Sequence, residues 1–233
     1  MKSVKRFGLM IDGWSSHHTH YLAVFVVTRE YGTELLSFSP LNDETSLNAA
    51  SMADSIDWII DYYKLDYTKC LFLVGDNTEV NPALARRLKL NFIGCHSHTL
   101  NLAVKRKILQ NSEIKQLIEK VHKMMLKLNS LKRRALLKSK TKLAPKIENA
   151  TRWTSTFEML KRYFQIIDPV RELFANDAEL DRVEDDAPVD HYSRIKMYQL
   201  IPNPDEHKAL EKWCNILKPV EEATTSLQGG IIN

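Results

Sequence analysis

Residues 70–75, Cys-Leu-Phe-Leu-Val-Gly, form a wholly apolar run that ends in the turn-like Gly75-Asp76-Asn77. A run this short, without polar alternation, is the pattern of a strand buried on both faces. It therefore predicts a sheet flanked by helices. Upstream, residues 5–12 (KRFGLMID), 20–28 (HYLAVFVVT) and 33–39 (TELLSFS) are rich in β-branched and aromatic residues between short turns, the pattern of a three-stranded meander. Between that meander and the apolar run, Met52, Ile56, Ile59, Ile60 and Tyr63 recur on one helical face and predict a helix over Ser46 to Lys64.

Such a crossover helix lets the fourth strand lie parallel to the first, since parallel neighbours need a long connection. A short helix over Pro82 to Leu88 and a brief strand over Asn91 to Gly94 complete a β-β-β-α-β-α-β series. On this reading strand 1 ends in Asp12 and strand 4 ends in Asp76. Two carboxylates at the same end of adjacent parallel strands can converge on one hard cation. A strand-end Asp that merely caps a turn is the competing reading.

After Cys95 the sequence reads as helical to its end. Ile114, Leu117, Ile118, Val121, Met125, Leu128 and Leu131 mark an amphipathic helix whose other face carries Lys115, Lys120, Lys123 and Lys127. Further helices are predicted over about 154–175, 190–200 and 205–227. The expected division is a core over 1–137, a basic loop over 138–152 and a helical region over 153–233 that includes an acidic loop at 176–190.

Charge is unevenly distributed in a chain of net charge +4. Lys105 to Lys146 holds 14 Lys and Arg against Glu113 and Glu119, whereas Asp177 to Asp190 holds seven acidic residues against Arg182. Lys132-Arg133-Arg134 with Lys138, Lys140, Lys142 and Lys146 concentrates charge where counterion release from DNA would favour binding. A solvated helix face, or a face for an acidic partner, explains the same run. No apolar run reaches the roughly 18–20 residues of a membrane span, and Met1 to Arg6 is basic without a signal-like apolar stretch. Three scattered cysteines, Cys70, Cys95 and Cys214, do not make a disulfide framework. An intracellular address and no membrane partner are expected.

Four motifs follow one another: Asp12-Gly13-Trp14-Ser15, then Gly75-Asp76-Asn77 with Asn81, then Cys95-His96-Ser97-His98-Thr99-Leu100-Asn101-Leu102, then Thr151-Arg152-Trp153-Thr154-Ser155-Thr156. In that order and spacing they resemble the core of hAT-superfamily DNA transposases, and the likeness extends to Met159-Leu160-Lys161-Arg162 and to residues 217–224. The resemblance implies an α/β, ribonuclease H-like mixed five-stranded sheet with flanking helices, followed by a mainly helical C-terminal portion. It also implies a nuclear location and DNA as partner. Asp12 and Asp76 would be the first two members of an Asp-Asp-Glu triad that holds Mg²⁺ or Mn²⁺ for phosphodiester cleavage and strand transfer.

His98, of the family's Cys-x-x-His motif, would face a phosphate or orient a carboxylate, and Arg152 and Trp153 would sit beside the DNA end, the ring stacking on a base. A core tryptophan opening a helix is the competing reading for Trp153. Cys95 and His98 with His17 and His20 could supply a zinc set, against a merely buried Cys95. The family's zinc finger, inserted helical domain, third carboxylate and dimerisation segment find no counterpart in these residues. Glu221 and Glu222 match the helix that enters the insertion. The expectation is thus a C-terminally truncated core, inactive alone, with weak or vestigial Mg²⁺ or Mn²⁺ and any homo-oligomer formed through segments not present. DNA-contacting residues are expected at His98, Lys132, Arg133, Arg134, Lys138, Lys140, Arg152 and Trp153. Two other readings are a non-catalytic scaffold whose basic helices face an acidic partner, and a nuclease that borrows a carboxylate from another subunit.

Overall fold

The computed structural model describes residues 5–41, 48–149, 152–175 and 196–229. The acidic stretch 177–190 and Thr151 lie outside them, as does most of the helix expected over 190–200. The described residues fall into two compact units, one up to Thr99 and the other from Leu100 to Gln228.

In the first unit β1 (Phe7–Ser16), β2 (Thr19–Thr28) and β3 (Gly32–Pro40) form the expected meander. Helix α1 (Ala49–Tyr62) then leads to β4 (Cys70–Gly75), helix α2 (Val80–Arg87) and β5 (Asn91–Gly94). The sheet order is β3-β2-β1-β4-β5, with β1 antiparallel to β2 and parallel to β4. This is the mixed five-stranded α/β arrangement of ribonuclease H-like folds. Side chains alternate across the sheet, so Phe7, Leu9 and Ile11 of β1 and Leu22, Val24 and Val26 of β2 share one face with Leu73. Met52, Ile56, Ile59 and Ile60 of α1 and Leu84 of α2 cover that face. Asn48 caps α1, its Oδ1 accepting from the Ala50 and Ser51 amides at 2.9 Å each.

Strand β1 does not end at Asp12. It runs on to Ser16, paired with β2 down to Ser16↔Thr19, and turns through His17 and His18, whose φ values are 48° and 71°. A two-residue turn with both central residues at positive φ matches the twist of a tight hairpin. Histidine is a rare choice there, which is why the sequence reads as a loop.

Among the described residues the regular elements of the second unit are all helices: α3 (His96–Gln110, entering from the first unit), α4 (Ser112–Leu128), α5 (Leu131–Lys140), α6 (Trp153–Ala175), the single turn α7 (Met197–Leu200) and α8 (Pro204–Gly229). Its core joins Ile114, Leu117, Val121, Met125 and Leu128 of α4 to Phe157, Leu160, Tyr163 and Ile167 of α6 and Leu210 and Leu217 of α8. Leu131, expected on the buried stripe, is 89% exposed, because α4 stops at Leu128 and α5 starts a new face after Ser130. Residues 138–140 finish α5, so the expected basic loop is shorter than 138–152. Among the described residues no helix is long and apolar enough to cross a membrane.

Candidate functional site

The parallel ladder of β1 and β4 is in register at Met10↔Val74, and two residues further along each strand stand Asp12 and Asp76. Side chains two apart share a face, and neighbouring strands lie about 4.8 Å apart, so the fold sets these aspartates at the same end of adjacent parallel strands. Asp12 is exposed and faces Ala23 of β2 in register, whereas Asp76 is half-buried just past the end of β4. Carboxyl ends of parallel strands are where open α/β sheets present their ligand sites.

Asp76 is held firmly. Its Oδ1 accepts from Asn81 Nδ2 and Thr78 Oγ1 at 2.6 Å each and from the Thr78 amide at 3.2 Å. Asn81 is itself buried and also donates to the Asp76 carbonyl at 3.2 Å. That approach needs Gly75, where a Cβ would stand 3.0 Å from Asn81 Nδ2. Asn77 turns the other way, donating from Nδ2 to Thr99 Oγ1 at 2.8 Å, and lies so close to Gly94 that a Cβ there would meet Asn77 Oδ1 at 2.0 Å. The Cys95 amide donates to the Gly75 carbonyl at 2.8 Å. The second and third sequence motifs are therefore one hydrogen-bonded knot at the ends of β4 and β5. Gly94, which lies outside all four motifs, is one of its necessary members, and no helix or strand periodicity marks it out.

The donor chemistry suits a hard cation only in part. Two carboxylates supply suitable oxygens, but Mg²⁺ and Mn²⁺ take about six ligands, and Asp76 Oδ1 already accepts three hydrogen bonds. Among the described residues no group of three or more His, Cys, Asp or Glu side chains is placed to hold a metal. The residues present do not make a complete site for either ion. The same finding applies to a zinc set of Cys95, His98, His17 and His20, and Cys95 is half-buried instead of fully buried. His17 and His20 are instead bound into the hairpin end, through Ser16 Oγ to His17 Nδ1 at 3.0 Å and Ser15 Oγ to His20 Nδ1 at 2.6 Å. His98 is half-buried in the first turn of α3.

In the helical unit the fourth motif opens α6. Trp153 is 1% exposed and packs on Phe157 with ring centroids 5.9 Å apart, so its ring belongs to the core and is not available to stack on a base. Its amide donates to Asn101 Oδ1 at 2.9 Å, which ties the end of the third motif to the start of the fourth. Arg152, by contrast, is exposed and lines an open depression of about 430 Å³ with Lys146, Asn149, Thr154, Ser155 and Glu158. Hydrogen bonds from Lys161 and Lys146 hold the Glu158 carboxyl below its ordinary range.

The basic run is less uniformly available than its sequence suggests. Arg133 is 2% exposed and lies in the core side of α5, with Nη1 3.5 Å from Ser130 Oγ, so it is corrected out of the DNA-contacting set. Lys120 pairs with Glu206 at 2.7 Å, Lys123 with Glu119 at 3.2 Å and Lys140 with Glu172 at 2.5 Å. Lys132, Arg134 and Lys138 remain exposed on α5, a helix without acidic residues, and Arg106 and Lys107 are exposed on α3.

A mixed five-stranded sheet of this order, flanked by helices, is of the ribonuclease H-like fold class. Residues 93–197, from β5 to the start of α7 and under half of the chain, match the family model of the ZBED1 RNase-like helical domain, a domain related to hAT and ZBED proteins. Among curated proteins none matches the chain.

Proposed function

We propose that this chain derives from a hAT-type transposase, that it binds duplex DNA through exposed basic side chains of its helical unit, and that Asp12 and Asp76 are the remainder of a phosphodiester-cleaving centre. The reading is supported above all by the register Met10↔Val74 of the parallel β1–β4 pair, from which Asp12 and Asp76 each follow two residues on. The match of residues 93–197 to a transposase-related domain supports the same origin and a nuclear location.

Lys132, Arg134 and Lys138 of α5 supply the phosphate contacts in this reading, with Arg106, Lys107 and Arg152 adding to them in sequence-neutral roles. His98 and Asp76 serve the residual centre. Mg²⁺ or Mn²⁺ associates weakly through Asp12 and Asp76, and cleavage awaits a third carboxylate. The test is duplex binding across a salt series together with an assay for Mn²⁺-dependent nicking. Affinity that falls steeply with salt is expected, without nicking. Salt-insensitive or absent binding would favour the alternative, a scaffold whose basic helices meet an acidic protein. Nicking that disappears in Asp76→Ala would instead show a working centre.

A further inference from the structure

Helix α1 has an outer face that the described residues of its unit leave exposed. Trp58 is 63% and Tyr62 66% exposed, and their rings stack at 5.3 Å, while Tyr63 meets Tyr62 edge-on at 5.1 Å. Asp54 and Asp61 fall on the same arc as Trp58 and Tyr62, at the i, i+4, i+7 and i+8 positions of one stripe. Asp57 borders it. The helix carries three aspartates and neither Lys nor Arg. From the adjoining elements, Arg87 of α2 acts on Asp57 only as a weak electrostatic influence, and Lys69 is engaged by Asp66 at 3.5 Å.

Two large aromatic rings side by side in water are an exposed apolar surface that needs a reason. Their flanking carboxylates narrow the kind of partner. A phosphate backbone is repelled by Asp54 and Asp61, and a wholly apolar partner would strip water from both carboxylates without pairing them. A cation satisfies both features, since ammonium and guanidinium groups are drawn to the faces of Trp and Tyr and pair with carboxylates. We propose that the Asp54–Trp58–Asp61–Tyr62 stripe is a docking surface for a lysine- or arginine-bearing segment of a partner polypeptide. Charge complementarity carries the choice: this is an acidic patch on a chain of net charge +4.

The probe is a flexible peptide of about a dozen residues with about four lysines among glycines and serines, compared with its glutamine counterpart. Binding to the full chain is followed by calorimetry and by the Trp58 indole N–H resonance. The lysine peptide is expected to shift that resonance saturably and the glutamine peptide to leave it in place, with affinity falling as salt is raised. Joint replacement of Trp58 and Tyr62 by Ala should weaken binding roughly tenfold, and Asp54→Asn with Asp61→Asn comparably. All four side chains are exposed, so the variants should keep the circular dichroism of the parent. Three outcomes overturn the proposal. The aromatic double variant could bind the peptide as tightly as the parent, which would assign capture to other carboxylates such as those between Asp177 and Asp190. The glutamine peptide could bind equally well. Or the Trp58 resonance could move with protein concentration alone, which would give the face to a second copy of the chain.

Discussion

Gly94 shows how much a single missing methyl group can fix. Asn77 reaches Thr99 while packed against Gly94, and any Cβ at this position would stand 2.0 Å from Asn77 Oδ1, inside van der Waals contact. Gly94→Ala is therefore expected to displace Asn77, break its bond to Thr99 and cost about 1–3 kcal/mol, the usual penalty of overpacking. Thermal unfolding measures the loss, and the milder Asn77→Ala should recover part of it in the Gly94→Ala background, because the clash is with that side chain. A different account applies to Trp153. Buried and tied to Asn101 through its amide, it behaves as a core residue, so Trp153→Ala should destabilise the helical unit by about 3–5 kcal/mol. Loss of DNA affinity without loss of stability in that variant would contradict its burial.

Helix α5 divides the sequence's most conspicuous charge run into parts with different fates. Replacing Lys132, Arg134 and Lys138 by Ala is expected to weaken duplex binding and lower the slope of log affinity against log salt by up to about 0.9 for each phosphate left without its cation, with stability changed by less than about 0.5 kcal/mol. Arg133→Ala should do the reverse, leaving the slope alone while destabilising the fold, since its guanidinium lies in the packed interior. Unfolding curves and salt titrations of the two variants, read together, decide the matter. The sequence's apolar periods are enough to place all five strands, α1, α2, α4 and the parallel β1–β4 pairing, although β4 is not buried on both faces as its apolar run predicts, for Leu71 is 43% exposed. What escapes them is set by tertiary context. The extension of β1 from Asp12 to Ser16 depends on a His-His turn with no glycine or asparagine to announce it, and the fate of Arg133 depends on where α4 stops. At the site, the strand order that carries Asp12 and Asp76 to neighbouring parallel strands is legible. The burial of Trp153 is not, since an Arg-Trp dipeptide at a helix start looks the same whether the ring turns in or out.

At the scale of the whole molecule, the two units differ in how their carboxylates couple folding to protons. In the helical unit Glu158 is lowered by its hydrogen bonds from Lys161 and Lys146. Burial pushes Glu206 upward, but Lys120 and the Asn203 amide outweigh it and leave a net lowering. A carboxyl whose folded pKa is depressed contributes stability above its unfolded value, here 4.5, and that contribution is lost as pH falls through the depressed folded value. In the sheet unit Asp57 goes the other way, raised above 3.8 by burial first and then by the neighbouring Asp54. Its fold binds the proton more tightly than the unfolded chain does, so acidification through that region removes a cost and favours the folded form. Asp66 is lowered by Thr68, but it is fully exposed and adds little to the balance. Mild acid below about pH 4.5 is accordingly expected to loosen the helical unit before the sheet. Trp153 and Trp213 report on the first, Trp14 and Trp58 on the second, so their indole N–H resonances followed through an acid titration separate the two events. The resonances of Trp153 and Trp213 should disperse at higher pH than those of Trp14 and Trp58. Glu158→Gln together with Glu206→Gln should bring the two transitions closer, because an amide neither loses a charge on acidification nor holds a lysine by one. Loss of the Trp14 and Trp58 signals first would show that the carboxylates of the sheet, and not the lysine pairs of the helices, govern acid unfolding.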